Sequence, residues 1–565
     1  MTPDAEAPGK TAPKPAPERE AAPDAASDVV LEVAEKEEGK QPSRIEGGID
    51  AVVIGASADG LTAAAYLGKA GLRTVLVEAA AKLGGAVRTR EIMEGVNGID
   101  GEHLVNILDP DMLADLELYR HGIEYAARRL DTTYFFDGAE SLRLDGDLEN
   151  AAALLPEDAE DEEDRDAFRT FLQQAMETAA YLRPAFETAT TPSGDGARAR
   201  NLEKLLTQAP PEPAERAARY AMASVDDVLN GLFADGRLKT LLAAEAAFRS
   251  AAAPNEAFSF MHYIRRLAGE TVGLQGAIAY PTGGAAAVID ALRRAAQTAK
   301  VDIRAATAAR SVLIEGDRVA GVMLEGGGQL RASIVITALD ARRSFLEMIG
   351  PGAVDLEFQR LLTAPRPKIA SGRLHLLLKG VAKDDATREN MARRIVYAPS
   401  PDAVRRAFID ARAGRVPDDL IIEMVFPGAV DPAGAPEGGQ LLSAIAHPLP
   451  FDETAGDKRR DAIQKSIVAN LEKFAPGLEE RITGADLRLP CDIAQTTGAD
   501  ASVYAAKPAV MQQWALAGAA AAAGRISGLY FCGPEAQIGM GLSCAAGRVA
   551  AKAALRDMRK GVTGS

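Results

Sequence analysis

Cysteine, histidine and tryptophan are scarce in this 565-residue chain, with 3, 5 and 1 copies respectively. Three thiols, Cys491, Cys532 and Cys544, cannot build a disulfide framework, and no CxxC or Cys/His spacing marks a zinc site. No metal is expected, and a reducing, cytoplasmic setting is the default expectation. No apolar run approaches the ~20 residues that a membrane helix needs. Basic residues are outnumbered, with 64 Lys and Arg against 80 Asp and Glu, for a net charge of −16. That balance argues against nucleic acid as a partner, because phosphate-backbone binding relies on clustered cations. It equally disfavours electrostatic adhesion to anionic lipid, and with no basic amphipathic helix in sight only peripheral membrane contact stays open. What is present is a globular composition, 47% hydrophobic and 25% charged, at a length that calls for two or more structural units.

Residues 1–47 stand apart. They are rich in Pro, Ala and Glu, and carry eleven acidic against six basic residues. Apart from Val29–Val33 the segment has little apolar surface to offset its ordering entropy, so a disordered acidic tail is expected. It has neither the apolar core of a secretory signal nor the acid-poor composition of a transit peptide.

The folded part opens with Ile49–Ile54, a short β-branched run that reads as a buried parallel strand. It enters Gly55-Ala56-Ser57-Ala58-Asp59-Gly60, after which Leu61, Ala64, Ala65 and Gly68 fall at helical spacing on a face of small residues. Leu72–Val77 reads as a second strand ending in Glu78, 18 residues after Gly60. This is the βαβ pattern that binds dinucleotides. Gly55 permits the tight turn, Gly60 permits helix–strand contact, the helix N-terminus offers free N–H groups to a pyrophosphate, and an acid ~20 residues on accepts from a ribose hydroxyl. The middle glycine of the fingerprint is Ser57, whose Cβ crowds the approach while its hydroxyl can donate in return. A βαβ turn with no ligand is the alternative at this point. Next, Lys82–Thr89 supplies the pair Gly84-Gly85, where backbone can approach a pyrophosphate from its other side.

The run from Asp50 to Thr89 resembles the N-terminus of FAD-dependent phytoene desaturase-like oxidoreductases, and within them the pyridine nucleotide-disulphide oxidoreductase domain-containing branch. Later blocks resemble it in order: Ser224–Phe248, Tyr280–Gln297, Val430–Ser443, Phe474–Ile482 and Gly528–Arg548. The resemblance implies an α/β fold in which a Rossmann-like FAD-binding domain is discontinuous, carries inserted β-hairpins and is interleaved with an α+β substrate domain. The FAD domain would comprise 48–124, 271–345 and 506–565, and the substrate domain 125–270 and 346–505. Local patterns support this. Ser311–Glu315 and Arg318–Glu325 alternate around Gly316-Asp317 as a hairpin, Ser333–Thr337 reads as a returning strand, and Leu529–Cys532 as another. Phe168, Phe171, Leu172 and Ala175 at helical spacing, and the capping pattern Ser224-x-x-Asp227, read as core packing and nothing more.

By the same resemblance FAD is the cofactor. Gly55, Ser57, Gly60, Gly84 and Gly85 would approach its pyrophosphate, Glu78 the adenosine ribose, and Ala309 the adenine side. Gly533 and Glu535 would face the ribityl–phosphate region, and Met540, Gly541 and Leu542 the pyrimidine end of the ring. The substrate would be an apolar unsaturated small molecule, a polyene or lipid-like compound, exchanging hydride with the flavin, with the electron acceptor unknown. Cys532 and Cys544 read as small core residues.

The departures from the family pattern lie near the expected chemistry. Gln537-Ile538-Gly539-Met540-Gly541 stands where relatives carry His-Pro-Gly-Gly-Gly, Arg265-Arg266 where they carry a histidine pair, and Ala79-Ala80 where basic residues follow the ribose acid. His103 falls near the flavin by resemblance, with a structural role favoured. No catalytic acid or base is assigned, because hydride transfer needs geometry and a dry pocket more than a titrating side chain. The alternative is a catalytically degenerate chain that keeps the fold as a binding or regulatory protein.

Overall fold

The apolar runs on either side of the first glycine turn are buried along their whole length, as strands of a parallel sheet must be when helices cover both faces. We take them as β1 (Ala51–Ile54) and β2 (Thr74–Val77), joined by α1 (Ala58–Lys69). The remaining strands of this sheet are β3 (Asp302–Arg304), β4 (Ile334–Thr337) and β5 (Leu529–Phe531). Their order is β3-β2-β1-β4-β5 and every pairing is parallel, with Ala51 opposite both Thr74 and Ile334, and Val335 opposite Leu529. One sheet thus gathers strands from the start, middle and end of the chain. The computed structural model describes residues 45–46, 48–137, 141–148, 162–188, 211–364, 368–380, 389–508, 510, 512–513, 526–539 and 541–561.

Two further helices close on α1. Helix α2 (Ala286–Thr298) packs beside it where Gly68 removes a side chain, since a Cβ there would stand 2.7 Å from the Ala299 carbonyl oxygen. Helix α3 (Ala545–Arg559) meets the first turn of α1, where the Gly547 N–H donates to Asp59 Oδ1 at 2.8 Å.

The expected hairpin forms from Ala309–Glu315 and Arg318–Leu324, with Gly316 at φ +66° in its turn. Gln329–Arg331 extends it, and Ile45–Glu46 pair in parallel with Gln329 and Leu330. Those two residues, placed in the tail by composition, therefore belong to this small sheet. Residues 1–44 and 47 lie outside the described residues, Val29–Val33 among them.

A second large sheet has seven strands from 132–144 and 369–488, in the order Ile482–Arg488, Ile369–Lys379, Gly439–Pro450, Ile421–Val425, Arg394–Tyr397, Thr132–Phe135, Ser141–Leu144. Helices from 162–267 pack with it, and Phe168, Phe171, Leu172 and Ala175 are all buried in their shared core, as packing alone requires. Ser224 and Asp227 form the reciprocal cap expected of them. All three cysteines are buried and unpaired. Among the described residues no helix is long and apolar enough to cross a membrane.

Candidate functional site

In a parallel sheet the ends of the strands on the carboxyl side are where loops from distant segments meet. Here the loops after β1, β2, β4 and β5 begin at Gly55, Glu78, Ala338 and Cys532.

Gly55 has φ +94°, a conformation open to glycine and costly for other residues. Gly60 sits over it so closely that a Cβ would stand 2.0 Å from the Gly55 carbonyl oxygen and 3.1 Å from Ala338 Cβ. Ser57 caps α1: its Oγ accepts from the Gly60 N–H at 3.3 Å. The hydroxyl is thereby turned into the helix, and the serine is accommodated without displacing the turn. The opening N–H groups of a helix have no acceptor four residues back. Since Ser57 takes that of Gly60, those of Ala58 and Asp59 remain for a ligand among the described residues. Glu78 is fixed from both oxygens, accepting from the Ala56 N–H at 2.7 Å and the Ala80 N–H at 2.9 Å. A carboxylate has about four acceptor positions, so two are left for a ligand. The Thr307 N–H donates to the Glu78 carbonyl at 2.7 Å, which brings the Ala309 end of the hairpin beside Glu78.

The second glycine pair comes to the same place. Gly84 (φ +106°) donates its N–H to the Ala56 carbonyl at 2.8 Å, and a Cβ on Gly85 would lie 3.9 Å from Ser57 Cβ. The C-terminal turn arrives from the other side through Leu339. A Cβ on Gly533 would stand 2.0 Å from the Leu339 carbonyl oxygen, and one on Gly55 3.0 Å from Leu339 Cδ2. Leu339 thus holds the two remote turns against one another. Glu535 Oε2 accepts from the Ala341 N–H at 3.0 Å. Burial and the neighbouring Asp340 push its carboxyl up to about 7. Further along, the Gln537 side-chain amide donates to the Gly541 carbonyl at 2.8 Å, and Gly541 packs against Asn106 and Ile107. Leu542 is buried; Met540 lies outside the described residues.

The segment facing this turn is held by charge. Asp100 is buried between Arg90 (2.7 Å) and Arg488 (3.2 Å), and Arg548 of α3 donates to Asp109 at 2.7 Å. His103 bonds Ser443 Oγ and Glu423 Oε1, each at 3.1 Å. Burial, with Arg373 nearby, pushes its imidazole down to about 4, so it is a neutral structural group. Burial does the same to His262 (about 4), His375 (about 3) and His447 (about 3), so none of these four offers a base that titrates near neutrality.

Of the cavities that adjoin the C-terminal turn, two differ sharply in their linings. The larger, about 690 Å³, is bordered by Pro534, Glu535 and Gln537, and much of its wall is apolar, including Phe258, Leu361, Leu362, Val503 and Ala506. The smaller, about 100 Å³, touches Gly539 and Gly541 and is lined by charges such as Arg249, Arg266, Glu245 and Glu423. Sequence patterns do not single out Leu339, Asn106 or Lys507. The place of Leu339 just past a strand end of the parallel sheet is the one signal that pointed to it.

The residues fit a dinucleotide. Glycines stand where a Cβ would clash with Gly55 or Leu339, free N–H groups open α1, and a fixed carboxylate follows β2. The profile of a family described as "Flavin containing amine oxidoreductase" matches residues 60–360, more than half of the chain. A rat protein named pyridine nucleotide-disulfide oxidoreductase domain-containing protein 2 is 27% identical over 552 residues, covering 90% of this chain and 94% of its own. A neurosporene-forming phytoene desaturase of Cereibacter sphaeroides is 26% identical over 216 residues, covering 36% of this chain and 39% of its own. Among solved structures, a putrescine oxidase with redesigned cofactor binding superposes with a TM-score of 0.57 at 15% identity, covering 92% of this chain and all of that one. An oxidoreductase from Methanosarcina mazei superposes at 0.56 and 15% identity, covering 90% of this chain and all of that one. Those likenesses speak to the fold. The family match, joined to the glycine cradle, means that this chain belongs to the flavin-containing amine oxidoreductase family and is an FAD-dependent oxidoreductase.

Proposed function

We propose that the enzyme is of the phytoene desaturase-like type and exchanges hydride between its flavin and an apolar, unsaturated chain such as a polyene or lipid-like molecule. The observation that carries this reading is the cavity of about 690 Å³, with largely apolar walls, that reaches the Pro534–Gln537 turn. Burying an extended hydrocarbon there would contribute roughly 25 cal/mol per Å² of apolar surface removed from water. The partial likeness to a phytoene desaturase supports the same reading.

In this reading the segments 48–124, 271–345 and 506–565 hold the cofactor, and 125–270 with 346–505 shape the substrate pocket. The N–H groups at the start of α1, with Gly55, Ser57, Gly60, Gly84 and Gly85, would hold the pyrophosphate. Glu78 would bind the adenosine ribose, and Ala309 would lie on the adenine side. Gly533 and Glu535 would hold the ribityl arm, with Gly541, Leu542 and Met540 at the pyrimidine end. FAD, when bound, supplies the capacity to accept a hydride from carbon. The protein's part is to orient the chain and exclude water.

The purified protein is expected to be yellow and to release FAD on denaturation. Anaerobic mixing with phytoene dispersed in detergent is expected to bleach the flavin band. A protein that holds FAD yet stays oxidised with phytoene, with shorter polyenes and with polyene carboxylates would sink the substrate class while leaving the family membership intact.

A further inference from the structure

Lys507 is the one described residue that lines both the large apolar cavity and the small charged chamber. Three carboxylates, Glu102, Glu245 and Glu423, face that chamber together with Arg249, Arg265, Arg266, Arg394 and Lys507. All three carboxylates are already engaged. Glu102 pairs with Arg249 at 2.6 Å. Glu245 pairs with Arg266 at 2.7 Å and with Arg394, and accepts from the Tyr134 hydroxyl at 2.7 Å. Glu423 pairs with Arg394 at 2.6 Å and bonds His103 at 3.1 Å. Lys507 forms an ion pair with none of the three.

Lys507 lies on the wall shared by the two cavities. Among the described residues no carboxylate stands within ion-pair distance of its ammonium, and Glu535 and Glu102 act on it only through space. Two buried polar atoms of the chamber, Arg249 Nε and His262 Nε2, have no hydrogen-bond partner among the described residues. Buried donors without acceptors are costly and rare in native structures, and they commonly mark an absent ligand or ion. At about 100 Å³ the chamber holds roughly three waters, or one carboxylate, at liquid density.

We propose that the substrate is an apolar chain ending in a carboxylate, and that Lys507 and the Arg249 Nε–H bind this carboxylate while the chain lies in the larger cavity. The proposal rests on the apolar-chain reading above and deepens it. The larger cavity carries Glu256, Asp340, Asp500 and Glu535 against Arg342 and Lys507, so an anionic end is favoured on the chamber side of Lys507. Neither an alcohol nor an amine of the same length would satisfy both the Arg249 Nε–H and the Lys507 ammonium.

The test uses three eight-carbon probes, octanoate, octanol and octylamine, titrated calorimetrically into the full-length flavin-loaded protein. Octanoate is expected to bind at least about tenfold more tightly than octanol, with octylamine weakest. Lys507→Met is expected to bring octanoate down to the octanol level while leaving octanol affinity unchanged, which also shows that the variant is folded. Lys507→Arg should restore most of the preference. Octanol or octylamine binding as tightly as octanoate, or octanoate indifferent to Lys507→Met, overturns the carboxylate site alone. If none of the three probes binds, the apolar-chain reading falls as well.

Discussion

Gly60 stands directly over Gly55, with only 2.0 Å between the place of a Cβ on Gly60 and the Gly55 carbonyl oxygen. That oxygen is backbone and cannot swing aside. Gly60→Ala must push the start of α1 off β1, and overpacking of this kind costs roughly 1–3 kcal/mol. Thermal melts are expected to shift down accordingly. The flavin-to-protein ratio should fall with them, because the same shift moves the helix N-terminus away from the place proposed for the pyrophosphate.

Ser57 calls for the opposite result. Its hydroxyl is engaged as the cap of α1, so the serine is already built into the turn. Replacing a serine cap by glycine costs only a few tenths of a kcal/mol. Ser57→Gly is therefore expected to change FAD affinity by less than about threefold in apoprotein reconstitution. A large tightening would mean that the Cβ does crowd the cofactor.

Glu535 gives a pH dependence of definite sign. Burial and Asp340 raise its carboxyl from 4.5 to about 7. Between those values the folded chain keeps a proton that the unfolded chain has lost, so this group's contribution falls as pH rises and is lost above about 7. The difference amounts to roughly 3 kcal/mol at most. In denaturant titrations of the apoprotein from pH 4.5 to 7.5, Glu535→Gln should gain stability relative to wild type as pH rises. A constant difference across that range would show that the carboxyl is not perturbed.

Arg394 is buried between two carboxylates, pairing with Glu245 and, at 2.6 Å, with Glu423. Among the described residues, removing it leaves Glu423 bonded only to the neutral His103, and Glu245 with Arg266 as its one cation. Arg394→Met is expected to destabilise the protein by about 3–5 kcal/mol, the usual consequence of breaking a buried pair from one side. A triple replacement with Glu245→Gln and Glu423→Gln should recover much of that loss. If the single variant melts like wild type, the chamber is far wetter than its burial implies.

Much of the cofactor half could be read from residue order alone, because its signals are local. The β-branched run before Gly55, the small-faced helix after Gly60, the hairpin around Gly316 and the Ser224 cap each depend on backbone conformation and side-chain spacing within a few residues. The resemblance to a known family added the far turn at Gly533, whose neighbours in space are hundreds of residues away in sequence.

What the tertiary structure alone decided is where side chains from separate segments meet. Leu339 lies between Gly55 and Gly533, and Arg394 lies between Glu245 and Glu423. Lys507 stands at the junction of an apolar and a charged cavity. No periodicity encodes such meetings: they follow from how a five-stranded and a seven-stranded sheet, each stitched from distant stretches, close their loops over one another. The sequence determined the elements and the cofactor they suit. Packing determined the polarity of the space beside it, because it sets Lys507 on a wall between an apolar and a charged lining with no carboxylate in ion-pair reach among the described residues.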